Sequence, residues 1–194
     1  MAINIDKMKA KLSAAQGKGG RKSDFWRPQE GENVIRILPS PDEDPFKEHF
    51  FHYNLGSSSK RNFGDDCPVC SFATKLFNEG SQESITQAKT LFARQRFFSP
   101  VLVRGQESEG VKVWGYGKTV YETLLSLVLN PDYGDITDPK EGTDLVLAYG
   151  KAPGMMYPQT KVQPRRKSSS LCDDGDTACE EIVATVPDLD TIFE

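Results

Sequence analysis

Histidine is scarce in this 194-residue chain. There are two, His49 and His52, and neither stands in a nucleophile elbow, an H-E-x-x-H helix or a phosphate-binding loop. General acid–base and nucleophilic chemistry therefore have little to draw on, and an enzyme is the poorer reading. "GKGGRKS" at 17–23 has the wrong spacing for a phosphate loop and no apolar strand before it. No apolar run approaches the roughly 18 residues that a membrane helix needs, and the start lacks the apolar core of a secretory signal. A cytosolic protein without membrane association is expected. Cysteine is limited to four residues, and in a reducing compartment they point to metal binding or plain burial rather than to disulfides. That favours a metal for the close pair Cys67 and Cys70.

Charge of one sign is scarce at one end and missing at the other. Residues 171–194 hold eight acids and no lysine or arginine, and without them 24 basic residues face 20 acidic ones. The first 22 residues carry Lys7, Lys9, Lys11, Lys18, Arg21 and Lys22 against the single acid Asp6. A basic arm, a mildly basic body and an acidic tail suit a protein that handles polyanions, and two solvated, disordered ends are the bland alternative. The tail closes on Ile192-Phe193, which makes it a candidate docking peptide.

The length suits one compact domain with disordered flanks. We read a basic flexible arm over 1–23, a core over 24–165 and an acidic disordered tail over 166–194. "ENVIRILP" and "FKEHFFHY" read as strands. From Pro68, Val69, Phe72, Ala73, Leu76 and Phe77 form one apolar stripe of a helix. A second helix is expected over about 82–94, with Ile85, Ala88 and Phe92 on one face. The apolar run 97–103 and Val111 to Tyr116 read as a hairpin, "TVYETLLSLVL" as a helix, and "TDLVLAYG" as a strand before a loop and a short extended piece. The fold class is mainly β with inserted helices (α+β), a small Greek-key barrel elaborated by helices.

The hairpin mixes cations with rings. Arg94 and Arg96 precede Phe97 and Phe98, and Lys112, Trp114, Tyr116 and Lys118 follow at period two, which would place them on one face of a strand. Cations there would meet phosphates and rings would stack on unpaired bases, which favours single strands over duplex. The competing reading buries Phe97, Phe98 and Trp114 in the core, where large aromatics usually sit. Tyr116 and Tyr157, beside glycine or proline, are read as exposed.

Five stretches carry a resemblance: "FWRPQEGENVIRILPS", "HY" at 52–53, "GDDCPVC" with its helix, "RQRFFSPVLV…VKVWGYGK" and "DLVLAYGKAPGMMYPQTKVQP". Together, over about 25–165, the chain resembles the single-stranded DNA-binding, helix-destabilising proteins of T-even-type bacteriophages. The resemblance implies an OB-fold core with a small zinc-type subdomain, about 49–80. It implies coating of single-stranded DNA during phage replication, recombination and repair, in the cytoplasm of an infected bacterial host. Self-association along the strand through the basic arm, and binding of replication and recombination proteins through the acidic tail, are implied as well. A zinc-bearing protein-interaction adaptor, or an RNA-binding OB protein, is the alternative. Carried over, the DNA cleft involves Arg36, Arg94, Phe97, Phe98, Trp114, Tyr116 and Tyr157.

The resemblance also implies one zinc ion held by a histidine and three cysteines. His52, Cys67 and Cys70 match, while Ser58-Ser59 stand where the family has its third cysteine. The fourth ligand is open between His49, water, Asp65 or Asp66, and the tail cysteines Cys172 and Cys179; loss of zinc is the remaining reading. Redox chemistry is disfavoured, because Asp65 and Asp66 would raise the thiol pKa values.

Overall fold

A computed structural model describes residues 25–172 and 175–191, so the basic arm and Ile192-Phe193 lie outside the described residues. It contains eight strands and four α-helices among the described residues: β1 (Phe25–Trp26), β2 (Gly31–Ile37), β3 (Lys47–His52), β4 (Ser57–Ser58), α1 (Pro68–Glu79), α2 (Gln82–Leu91), β5 (Arg94–Val103), β6 (Lys112–Tyr116), α3 (Lys118–Val128), β7 (Leu145–Gly150), β8 (Gln159–Pro164) and α4 (Asp176–Ala184). All strands join one mixed sheet, α+β as the sequence suggests, in the order β1-β6-β5-β2-β7-β8, with β3 branching from β5 and β4 paired to β3. β1 runs parallel to β6, and the remaining pairs are antiparallel.

The ten-residue β5 organises this sheet. Along one edge it pairs with β6, while Arg94 to Phe98 pair with β3 and Val101 to Val103 pair with β2. Between β3 and β5 the chain makes an excursion containing β4, α1 and α2. α1 begins with Pro68 in its first turn and ends at Gly80, whose φ of 75° is the left-handed conformation that glycine adopts without strain. Its expected five-residue apolar stripe is narrower in the fold: Ala73 and Leu76 are buried, whereas Phe72 and Phe77 are about half exposed. α2 stops at Leu91, short of the expected 94, because Arg94 is already paired in β5.

Period two on the central strands creates two buried faces. Ile35, Ile37, Val101 and Val103 point into the main core with Leu145, Leu147 and the α3 residues Val120 and Leu124. Leu38 and Leu102 fall in a second cluster with Leu171, Cys179 and Val186. The segment after residue 165 therefore corrects the expectation of a disordered tail. It carries α4 and packs apolar side chains onto the sheet, because the strands would otherwise leave a second hydrophobic face bare.

Arg36 sits between these layers, fully buried, with Nε 2.9 Å from Asp144 Oδ1 and Nη2 donating to the carbonyl (2.7 Å) and hydroxyl (2.8 Å) of Ser169. Arg104 also pairs with Asp144 and donates to the carbonyls of Ser170 and Leu171. Two guanidiniums thus share one carboxylate and clamp the start of the tail. The placement of Arg36 in a DNA groove is corrected: its donors are consumed inside the protein. Cys172 and Cys179, 5.6 Å apart at Cα, form a disulfide, which corrects both the expectation of no disulfide and their candidacy as metal ligands.

Candidate nucleic-acid interface and metal centre

Where β3 ends and β5 begins, a cleft of about 740 Å³ opens beside β6 and the start of β8. Its walls carry three arginines, Arg27, Arg94 and Arg96, and no aspartate or glutamate. Tyr53 and Tyr149 supply rings, and Trp114 and Tyr116 contribute to the lining. Arg94 is exposed and its guanidinium carbon lies 6.0 Å from the centre of the Tyr53 ring, a cation over a half-exposed π-face. Arg96 is held in place by donating to the Gly115 carbonyl at 3.1 Å. Concentrated positive charge beside exposed rings is the chemistry that tracks a phosphate backbone and stacks its bases.

The sequence placed only part of this lining. Arg94, Arg96, Trp114 and Tyr116 are brought together, but the last two show only thin edges, at 1% and 3% exposure. Tyr116 is in the core with its hydroxyl 2.6 Å from Ser99 Oγ, and burial raises its pKa; the reading of an exposed Tyr116 is corrected. Phe97 is stacked on Tyr121 at 3.8 Å between ring centres, so its face is already occupied. Phe98 lies on the other side of β5, half-buried, edge-on to Phe25 and His49, with Gly115 beneath it. A Cβ on Gly115 would stand 2.7 Å from that ring, so glycine is required for the close approach.

The expected face of Lys112, Trp114, Tyr116 and Lys118 does not form. β6 is covered on both sides, Lys112 is buried against Glu109 at 3.4 Å, and the chain turns at Gly117 so that Lys118 opens α3. Tyr157 is 74% exposed on the loop between β7 and β8, next to Pro158 of the cleft wall. Arg27, Tyr53 and Tyr149 were missed. Their signal lay in sequence neighbours already singled out, "FWRP", "HY" and "LAYG", but nothing local distinguished an exposed ring from a buried one.

A group that could hold a metal ion adjoins this cleft, since His52 immediately precedes Tyr53. His52 Nε2 is 3.3 Å from Cys67 Sγ and 3.7 Å from Cys70 Sγ. For sulfur and nitrogen ligands on a tetrahedral ion the donor–donor edge is about 3.5 Å, so these three atoms stand at coordinating separations. His52 Nδ1 lies 2.7 Å from the Leu91 carbonyl. A carbonyl only accepts, so Nδ1 carries the proton and the Nε2 lone pair faces the thiols, as ligation demands. Cys67 caps α1, and its thiol pKa is lowered to about 5. Burial opposes ionisation, but hydrogen bonds from Ser59 and from the backbone N–H groups of Cys70 and Lys60 outweigh it. Asp65 and Asp66 are exposed and are not among these causes, so the expected rise is corrected for Cys67.

His49 is not in this group. Its Nε2 is engaged 2.9 Å from Ser58 Oγ and 3.2 Å from Asn62 Nδ2, and burial lowers its pKa. Among the described residues no other histidine, cysteine or acid joins the three ligands.

A family model described as gp32 DNA binding protein like matches residues 29–194. The single-stranded DNA-binding protein of Enterobacteria phage T4 is 28% identical over 182 residues, covering 78% of this chain and 58% of that protein. That of phage T2 is 27% identical over 173 residues, covering 76% and 55%. The chain thus spans less than three-fifths of the length of the curated relatives it matches. No helix among the described residues is long and apolar enough to cross a membrane.

Proposed function

Because the chain belongs to the gp32-like DNA-binding protein family, we propose that it coats single-stranded DNA without sequence preference during phage DNA replication, recombination and repair. The observation that carries this reading is the cleft with three arginines, two accessible tyrosines and no carboxylate. Arg27, Arg94 and Arg96 neutralise phosphates, while Tyr53, Tyr149 and Tyr157 offer π-faces to unpaired bases. Phe98, Trp114 and Tyr116 support these walls from behind. The host cytoplasm is the corresponding location.

The finer architecture belongs to the same proposal. β5, shared between β2 and β3 on one edge, suits an OB-type barrel, with the excursion between β3 and β5 as a zinc-bearing subdomain. His52, Cys67 and Cys70 would hold the zinc, whose contribution is to fix the fold at the cleft wall rather than to react. Self-association through the basic arm, and recruitment of replication and recombination proteins by exposed acids of the tail such as Glu180 and Glu181, complete the reading.

Titration of Trp26 and Trp114 fluorescence with oligo-dT tests it. Saturable binding that weakens steeply with salt, and far weaker binding to duplex, is expected. Equal affinity for duplex, or binding indifferent to salt, would refute the proposal, and tighter binding to oligo-U would move the substrate to RNA.

A further inference from the structure

Ser59 is a fully buried hydroxyl beside the metal ligands. The chain delivers it there deliberately. β4 turns back along β3, pairing Ser57 with His52 and Ser58 with Phe51, and the next amide, that of Ser59, donates to the Phe50 carbonyl at 2.9 Å. Asn62 pins the same loop by bonding both the amide (2.8 Å) and the carbonyl (2.9 Å) of Phe50. Ser58 is thereby turned toward His49, and Ser59 toward the thiols: its Oγ stands 3.6 Å from Cys70 Sγ and also hydrogen-bonds Cys67.

That separation matches the about 3.5 Å edge of a tetrahedral site, as do the two distances from His52 to the sulfurs. The other side chains considered for the fourth corner are engaged elsewhere or face solvent, which leaves Ser59 against a water. His49 faces Ser58 and Asn62, Asp65 and Asp66 are exposed, and Cys172 is bonded to Cys179. Resting on the zinc reading above, we propose that Ser59 Oγ is the fourth ligand of a site made of two thiolates, one imidazole and one hydroxyl.

The composition has an electrostatic consequence. Two thiolates balance a divalent ion, so with neutral His52 and a protonated Ser59 the site carries no net charge, whereas a third thiolate would leave a negative charge to be buried. The exchange costs affinity, because oxygen is a harder donor than sulfur for zinc. Ser59 also accepts the Arg61 amide at 3.4 Å, so one lone pair is used by the turn and the other is free to coordinate.

X-ray absorption of the zinc-loaded full chain, with zinc affinity measured by competition against a chromophoric chelator, tests the assignment. Two sulfur and two nitrogen or oxygen scatterers are expected. Ser59→Cys should give three sulfurs and bind at least tenfold tighter, and Ser59→Ala should bind at least tenfold more weakly, while Ser58→Ala leaves affinity unchanged. Circular dichroism checks that each variant folds, and the Ser59→Cys arm decides the matter if the alanine variant does not. Three sulfurs in the unmodified chain, or a Ser59→Cys site still showing two, would overturn the proposal while leaving zinc binding intact. A chain that takes up no zinc at all overturns the zinc reading together with it.

Discussion

Asp144 neutralises two buried or half-buried guanidiniums, those of Arg36 and Arg104, at 2.9 and 3.0 Å. Removing that charge leaves both cations uncompensated, a change worth about 3–5 kcal/mol for a buried pair. Asp144→Asn is expected to lower the urea midpoint by a corresponding amount without changing the slope of the transition. Gly142 adds to the same knot, since a Cβ there would stand 2.3 Å from the Asp138 carbonyl and 2.8 Å from Arg36 Nη1. At the cleft, Tyr53→Ala should weaken oligo-dT binding by about 1–3 kcal/mol while leaving thermal stability nearly unchanged, because the ring is half exposed. An Arg94→Ala change should instead flatten the salt dependence, with the slope of log affinity against log salt falling by about one. Fluorescence titrations at several salt concentrations separate the two effects.

Among elements, the turn from β3 through β4 to the first turn of α1 matters most, because it joins the metal ligands to the cleft wall. His52 belongs to the first and Tyr53 lines the second, so, on the proposed zinc and DNA readings, stripping the metal should loosen Tyr53 and weaken oligo-dT binding. In the metal-free chain the lowered thiol pKa has its own signature. Folded Cys67 titrates near 5, well below an ordinary thiol, so its thiolate stabilises the fold fully only above the unfolded thiol's pKa. That contribution shrinks as pH falls and is gone below about 5. Thiolate ultraviolet absorbance of the metal-free protein should show a step near pH 5, and Cys67→Ser should abolish it. Helix α3 illustrates how an element reassigns residues: its Tyr121 covers Phe97, and its Val120 and Leu124 share one core cluster with Trp114 and Tyr116. Two rings that look ready for bases in the hairpin are therefore used as core.

For the molecule as a whole, the acidic segment is part of the folded body. Leu171, Cys179 and Val186 bury against Leu38 and Leu102, and Asp190 reaches Lys47 at 3.2 Å. Each fully buried aliphatic side chain contributes about 1.5–3 kcal/mol, so truncation after Ser170 should cost several kcal/mol and visibly lower the thermal midpoint. A truncated protein as stable as the full chain would show that the tail's contacts contribute nothing. The same burial makes truncation a poor probe of charge competition for DNA, because it removes core as well as charge.

Local spacing determined much of this protein. The Pro68 helix start, the alternation in "ENVIRILP", the aromatic run "FKEHFFHY" and the 97–103 and 111–116 hairpin were legible, because each depends on neighbours in sequence, while the grouping of His52 with Cys67 and Cys70 came from the family resemblance. Which face of a strand meets solvent was not legible. Arg36 and Tyr116 have the composition of binding residues, yet partners more than 100 positions away for Arg36, and 17 away for Tyr116, bury them. Ser59 is the converse: in the sequence it shares with Ser58 the place of a missing cysteine, and only the fold turns Ser59 to the thiols and Ser58 to His49. Composition sets what a side chain can do. Burial and long-range pairing, which no local window contains, decide what it is left free to do.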